Sequence, residues 1–171
     1  MKNGKLIALS AVSTALGVVF LIIGAYFQML DLSCLFMASL TVMLPLSKNS
    51  VKGAFLTYGA TTILSFLFTV NRFHLSLLYL LFFGIHPIIN HFHLKYGKKA
   101  WFLYLIKGAL FLGACYLMVL VFSMFIVTNE IINKILPIFI AVVGTLFYIV
   151  YDLIMIRFQN KSTAIIKRLG L

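Results

Sequence analysis

Acidic residues are nearly missing from this chain: three Asp and Glu stand among 171 residues, against 14 Lys and Arg. So few carboxylates leave no paired acidic motif for a lipid-headgroup transferase and no buried carboxylate chain for a proton relay. Cysteine is just as scarce. Cys34 and Cys115, the two present, sit within apolar runs and away from any CxxC or Cys/His spacing. That argues against a disulfide framework or a zinc site and leaves them as small packing residues. The GxxxxGK[ST], HExxH and GxSxG patterns are absent, so no nucleotide, zinc-protease or serine-hydrolase chemistry is expected, and neither an enzyme nor a cofactor. No inverted repeat is visible, unlike in the repeat-built secondary transporters. Charged residues of both signs make up only 10% of the sequence, and no polar stretch is long enough for a soluble domain.

What fills the chain instead is apolar: 63% of residues are hydrophobic and the mean hydropathy is +1.12, far above a globular composition. A helix needs about 20 apolar residues to cross the hydrocarbon, so this length holds at most about six or seven spans. Segments such as Leu75 to Phe83 (LSLLYLLFF) are apolar on every face, which excludes the alternation of a β-barrel. The expected fold is an all-α integral membrane protein, a single domain of six transmembrane helices over about 6–30, 32–46, 51–70, 73–92, 100–127 and 135–156. A loop is expected over 128–134 and a basic tail over 157–171. The MKNGK lead with its long apolar run reads as a retained first helix, because Leu6 to Leu30 exceeds a signal-peptide core. The second run is short and crosses only if the bilayer thins or Asp31 sits at the interface.

A net charge of +11 in a soluble protein points to nucleic acid; here it has a plainer cause. With the N-terminus inside, the inner segments hold eleven basic residues, including Lys48, Lys52, Lys95, Arg157 and Lys161, and the outer loops hold only Arg72 and Lys134. Both termini are therefore expected in the cytoplasm. The tail, with Ala164, Ile165, Ile166 and Leu169 among its cations, suits the anionic inner leaflet.

Ala8, Ala11 and Ala15 share one face of the first helix. Such a smooth stripe either packs within the bundle or takes a separate membrane subunit; Gly59, Ala60, Gly108 and Gly113 give other helices small residues too. Lys107 and Asp152 are ionisable residues inside apolar helices at matching depth, so they either pair or reach separately for the inner headgroups. His86 and His93 share a helical face while His91 points away, and no carboxylate or thiolate is near in sequence. Interfacial histidines are expected there, with a kink at Pro87, and no metal. On the outer side, Gln28, Asp31, Asn71, Arg72, His74, Asn129, Glu130 and Asn133 collect at the helix turns. Of these, Asn71, Arg72, His74, Asn129 and Glu130 are the candidate substrate-binding residues, with Tyr26, Phe27 and Phe73 beside them.

A six-helix chain of this size with an MKNGK lead and alanines at 11 and 15 resembles the S components of energy-coupling factor (ECF) transporters. The segment from Leu56 to Asn90, LTYGATTILSFLFTVNRFHLSLLYLLFFGIHPIIN, also looks like that of S-component-like membrane proteins of Gram-positive bacteria. The resemblance implies a bacterial cytoplasmic membrane and a subunit that captures a small molecule or vitamin in its outer half. It also implies a transmembrane coupling partner, contacted through Ala11 and Ala15, and two ATP-binding cassette ATPases. The chain departs from the family in its tight turn at Gln28 to Ser33, where S components carry a lid loop, and in its Met-Lys start, which does not favour a metal cargo. The alternative is a non-transporting scaffold that recruits cell-envelope partners through its basic inner face.

Overall fold

The structure, a computed structural model, describes residues 2–97, 102–125 and 130–168; side chains at 2, 3, 28, 71, 118, 121–125, 130–141 and 165–168 lie outside the description. All regular structure among the described residues is helical. Helix α1 spans Lys2–Tyr26, followed by a 3-10 turn at Gln28–Leu30, α2 at Asp31–Ser47 and α3 at Val51–Phe68. A second 3-10 turn at Val70–Arg72 leads into α4 at Phe73–Leu78, a π turn at Tyr79–Phe83 and α5 at His86–Tyr96. Helices α6 at Phe102–Phe125 and α7 at Glu130–Arg168 complete the chain. Local chemistry sets several of these ends. The Ser50 hydroxyl accepts the Gly53 N–H at 3.1 Å and so caps α3. At the other end of α5, Gly97 takes a φ of 60°, a conformation that suits a residue without Cβ.

Among the described residues, four helical segments are long and apolar enough to cross a membrane: Gly4–Tyr26, Val51–Phe68, Phe73–Tyr96 and Val142–Ala164. Asp31–Ser47 and Phe102–Leu117 are shorter apolar helices. The surface agrees with the composition. Large apolar side chains such as Val12, Ile63, Leu105 and Leu146 are exposed, while Ser10, Ser13, Thr57, Thr61 and Ser65 are buried. This inverts a water-soluble protein and marks a membrane protein, in which small and hydroxylated residues let helices approach closely. Many of the hydroxyls bond back to their own helix, as Thr14 does to the Ser10 carbonyl and Thr62 to the Tyr58 carbonyl, both at 2.8 Å.

Helix α2 lies at the centre, touching α1, α3, α5 and α7 and burying Leu35, Ala38, Val42 and Leu46. Its 17 residues give about 25 Å of helix. Other helices cover its Leu35/Ala38/Val42/Leu46 face, while Leu32, Ser33 and Met37 stay exposed. The seam between α1 and its neighbours is cut by Ser10, Ser13, Thr14, Gly17 and Gly24, the last two in contact range of Thr41, Thr61, Cys34 and Leu75.

Three boundaries differ from the sequence expectation. The helix expected to end near Ile156 continues through Arg168, so residues 157–168 form the end of α7 and not a separate tail. After Gly144 the sequence holds no Gly or Pro until Gly170 to stop it. The loop expected over 128–134 is helical from Glu130 onward, while Thr128 and Asn129 lie outside the described residues. The fourth span is also not a simple Pro kink. It widens into the π turn, where the Gly84 N–H reaches back to the Tyr79 carbonyl at 2.7 Å, and α5 then restarts with Pro87 in its first turn.

The π turn has its own support. Tyr58 of α3 donates its hydroxyl to the Leu80 carbonyl at 2.8 Å, and Gly84 makes room for the ring. A Cβ on Gly84 would lie 2.6 Å from Tyr58 Cδ2 and 2.8 Å from Tyr79 Cε1, whereas one on Gly59 meets nothing within 4 Å. Gly84→Ala is therefore expected to destabilise the protein in detergent micelles by about 1–3 kcal/mol. Gly59→Ala, in a helix interior with open space, is expected to be neutral or to stabilise by up to about 1 kcal/mol. Equal losses in thermal unfolding would contradict this account of the π turn.

Candidate functional site

Two constellations stand out, one buried between α5, α6 and α7 and one at the end of the bundle that carries Arg72. The first begins with sequence periodicity. His86, Asn90 and His93 are spaced i, i+4, i+7 on α5, and Asp152, Met155 and Gln159 are spaced i, i+3, i+7 on α7, so each set forms one stripe. All six are buried, with Asn90 and Met155 at 0% exposure. Lys107 enters between them from α6 and is itself only 1% exposed.

The geometry closes around the Lys107 ammonium. Nζ donates to Asp152 Oδ1 at 2.5 Å and to Asn90 Oδ1 at 3.4 Å, and lies 3.5 Å from His93 Nδ1. With three protons to place, it meets three acceptors when His93 carries its own proton on Nε2. The Tyr104 ring lies beneath it, with its centroid 4.9 Å from Nζ, and the His93 ring meets Tyr104 edge-on at 4.0 Å. Asn90 passes the network onward by donating to Gln159 Oε1 at 2.8 Å. On the other side, His86 Nε2 stands 2.9 Å from Asp152 Oδ1. The ring is out of line, so both His86 nitrogens remain without a hydrogen bond among the described residues. Phe82 and Tyr151 pack on the His86 ring at 5.2 and 4.9 Å and keep this side dry.

Lys107 therefore does not reach out to headgroups, and His86 and His93 are core residues, contrary to the interfacial placement expected for them. The reason is their shared face, which α5 turns toward Asp152 and Lys107. Only His91, half-buried, stays near an edge. Asn90 and Gln159 were missed as candidates, although their spacing from His86 and Asp152 puts them on the same stripes. Among the described residues, no group of three or more His, Cys, Asp or Glu side chains is placed to hold a metal ion. The network can hold charge inside the bundle and tie three helices together.

At the opposite end, the 3-10 turn Val70–Arg72 and the end of α1 frame a cleft of about 350 Å³, lined by Tyr26, Phe68, Thr69 and Arg72. Arg72 and His74 are half-buried, and both Arg72 and Asp31 are close enough to act on His74 electrostatically. Asp31 Oδ1 is buried without a hydrogen-bond partner among the described residues. Arg72 and His74 are thus brought to one rim. The side chains of Asn71 and Glu130 lie outside the description, and so does Asn129 entirely. Ala8, Ala11 and Ala15 all face outward on α1, away from the Ser10/Thr14/Gly17 seam.

Fold and sites together define an all-helical membrane bundle with a buried charged network and a polar cleft at one end. No protein family, curated protein or solved structure matches the chain.

Removing one partner of a buried ion pair costs about 3–5 kcal/mol, because the other charge is stranded, whereas removing both is far milder. Lys107→Leu is expected to lose about 3 kcal/mol, and adding Asp152→Leu is expected to restore part of it. Strictly additive losses in a double-mutant cycle, read by thermal unfolding in micelles, would show that the two charges are not coupled.

Proposed function

We propose that the chain is the substrate-binding membrane subunit of an ATP-driven small-molecule uptake system of the ECF type, working without catalysis of its own. In this reading it crosses a bacterial cytoplasmic membrane six times, with both termini inside. The cleft lined by Tyr26, Thr69 and Arg72 carries the proposal. It is an opening of about 350 Å³ with polar lining, within the range of sites that enclose a small metabolite. Arg72 supplies a positive charge at its margin.

Charge supports the orientation. Exposed Lys48, Lys52, Lys95, Arg157 and Lys161 gather at the α2–α3 turn and the ends of α5 and α7, and Arg72 lies at the other end. That makes the Arg72 end the outer one. The outward face of Ala8, Ala11 and Ala15 supports a separate partner, because the helices of this chain pack on a different face of α1. A transmembrane coupling subunit bound there would carry the two ATP-binding cassette ATPases.

Affinity purification from the native host in mild detergent, with mass spectrometry of proteins and small molecules, tests both halves. Ala11→Leu/Ala15→Leu is expected to lose the membrane partner and its ATPases at least about ten-fold, the loss of about one well-packed contact, while the folded chain survives. Arg72→Gln is expected to lose the small molecule and keep the partner. Recovery of cell-envelope proteins alone, unchanged in both variants, would reject the proposal in favour of a scaffold.

A further inference from the structure

The buried network contains one titratable group that its ion pair leaves over. Lys107 and Asp152 balance each other, and the ammonium places its protons toward Asp152, Asn90 and His93. His86 stands on the far side of the same carboxylate oxygen, with Nε2 2.9 Å from Asp152 Oδ1. Two basic groups from different helices, α5 and α6, thus converge on one oxygen of α7. Neither His86 nitrogen is hydrogen-bonded among the described residues, so no partner fixes where the ring carries its single hydrogen.

The surroundings offer His86 no second anion. Asp152 and Lys107 are the charged groups that act on it. Tyr151 of α7 packs on its ring and Tyr79 comes from the π turn before it; both are phenols, neutral below about pH 10. Helices α2 and α3 also pack on α5, but over 32–47 and 53–68 they carry no charged residue, and Cys34 and Tyr58 are their titratable side chains there. A proton gained by His86 would therefore leave two cations sharing one carboxylate in a dry space, an arrangement that low dielectric makes costly. The imidazolium Nε2–H and the ammonium would compete for Oδ1, and the loser keeps only neutral partners. Helix α6 is the element with least to hold it, because it packs on α4, the π turn, α5 and α7 while α1, α2 and α3 form their own seam.

We propose that His86 is a proton-operated latch: when it takes up a proton, Asp152 turns from Lys107 to the imidazolium, and α6 loosens from α5 and α7. The balance is one proton from water. The Asp152 side chain keeps 9% of its surface exposed; its carboxylate takes the proton, passes it to the free Nε2 lone pair and returns to the anion. The latch is a property of the buried network and does not rest on the transport reading.

The test uses the full chain at about pH 7.5 and about pH 5.5, either side of the point at which an ordinary imidazole titrates. Hydrogen exchange is read by mass spectrometry as the uptake of α6 over 103–112 relative to α1 over 10–20, a ratio in which the intrinsic pH dependence of exchange cancels. In the wild type this ratio is expected to rise about five-fold on acidification, the equivalent of roughly one lost hydrogen bond. The rise is expected to disappear in His86→Gln and to persist in His91→Gln. A second measurement needs no variant. In wild-type protein in bilayers, the dipolar coupling between lysine side-chain 15N and aspartate carboxyl 13C is expected to weaken at the lower pH while the histidine–aspartate coupling strengthens. An unchanged lysine–aspartate coupling at the lower pH, or an acid response of α6 that His86→Gln leaves intact, overturns the proposal.

Discussion

A lysine ammonium held inside an apolar bundle is the constraint around which the second half of this protein is arranged. Taking Lys107 and Asp152 out of water costs several kcal/mol for each ion, and their attraction offsets this only when the geometry is good and the remaining protons and lone pairs are satisfied. Here Asn90, His93 and the Tyr104 ring complete the shell of the ammonium. To bring those groups together, α5 must turn its His86/Asn90/His93 stripe inward, α7 must face Asp152 and Gln159 toward it, and α6 must place Lys107 between them. The π turn and the Pro87 restart set the rotation of α5, so the unusual backbone of the fourth span and the ion pair are parts of one solution.

The first half is built differently. Helices α1 to α3 meet through Ser10, Thr14, Gly17, Gly53 and Thr57, whose small side chains allow close approach and whose hydroxyls bond along or across helices. The Ser10 hydroxyl reaches the Gly53 carbonyl at 3.3 Å. Lipid offers no hydrophobic drive for such contacts, so packing and hydrogen bonds carry them. Central α2 joins the halves, meeting α1 where Thr41 faces Gly17 and sharing one core with Phe82, Phe83 and Tyr151.

Much of this architecture was legible in the residues, because hydropathy and loop chemistry act locally. The limits of α2 and α3 fall within about two residues of expectation, and Lys107 and Asp152 stood out because charge in an apolar run is costly. What escaped depends on contacts between helices. Whether the small residues of α1 that pack are Ser10, Thr14 and Gly17 or Ala8, Ala11 and Ala15 is decided by the positions of α2 and α3. Gln159 lies beyond Arg157, where a charge-based boundary ends the span, yet its partner Asn90 draws it into the core. The Gly84 turn follows from the approach of Tyr58, which no local pattern records. Arg72 and His74 were legible as turn residues, and the cleft that Arg72 borders arises from the meeting of α1 with the α3–α4 turn.

The central claim is that Lys107 and Asp152 form a direct pair inside the membrane bundle. It is tested most directly by solid-state NMR of the protein in lipid bilayers, measuring the dipolar coupling between 15N-labelled lysine side chains and the 13C-labelled side-chain carboxyl of aspartate. With Asp31 and Asp152 the only aspartates, a coupling that corresponds to roughly 3–4 Å, the separation of a charge-assisted hydrogen bond, that vanishes in Lys107→Leu, is the predicted result. No lysine–aspartate coupling at that range, or one that survives the substitution, would contradict it.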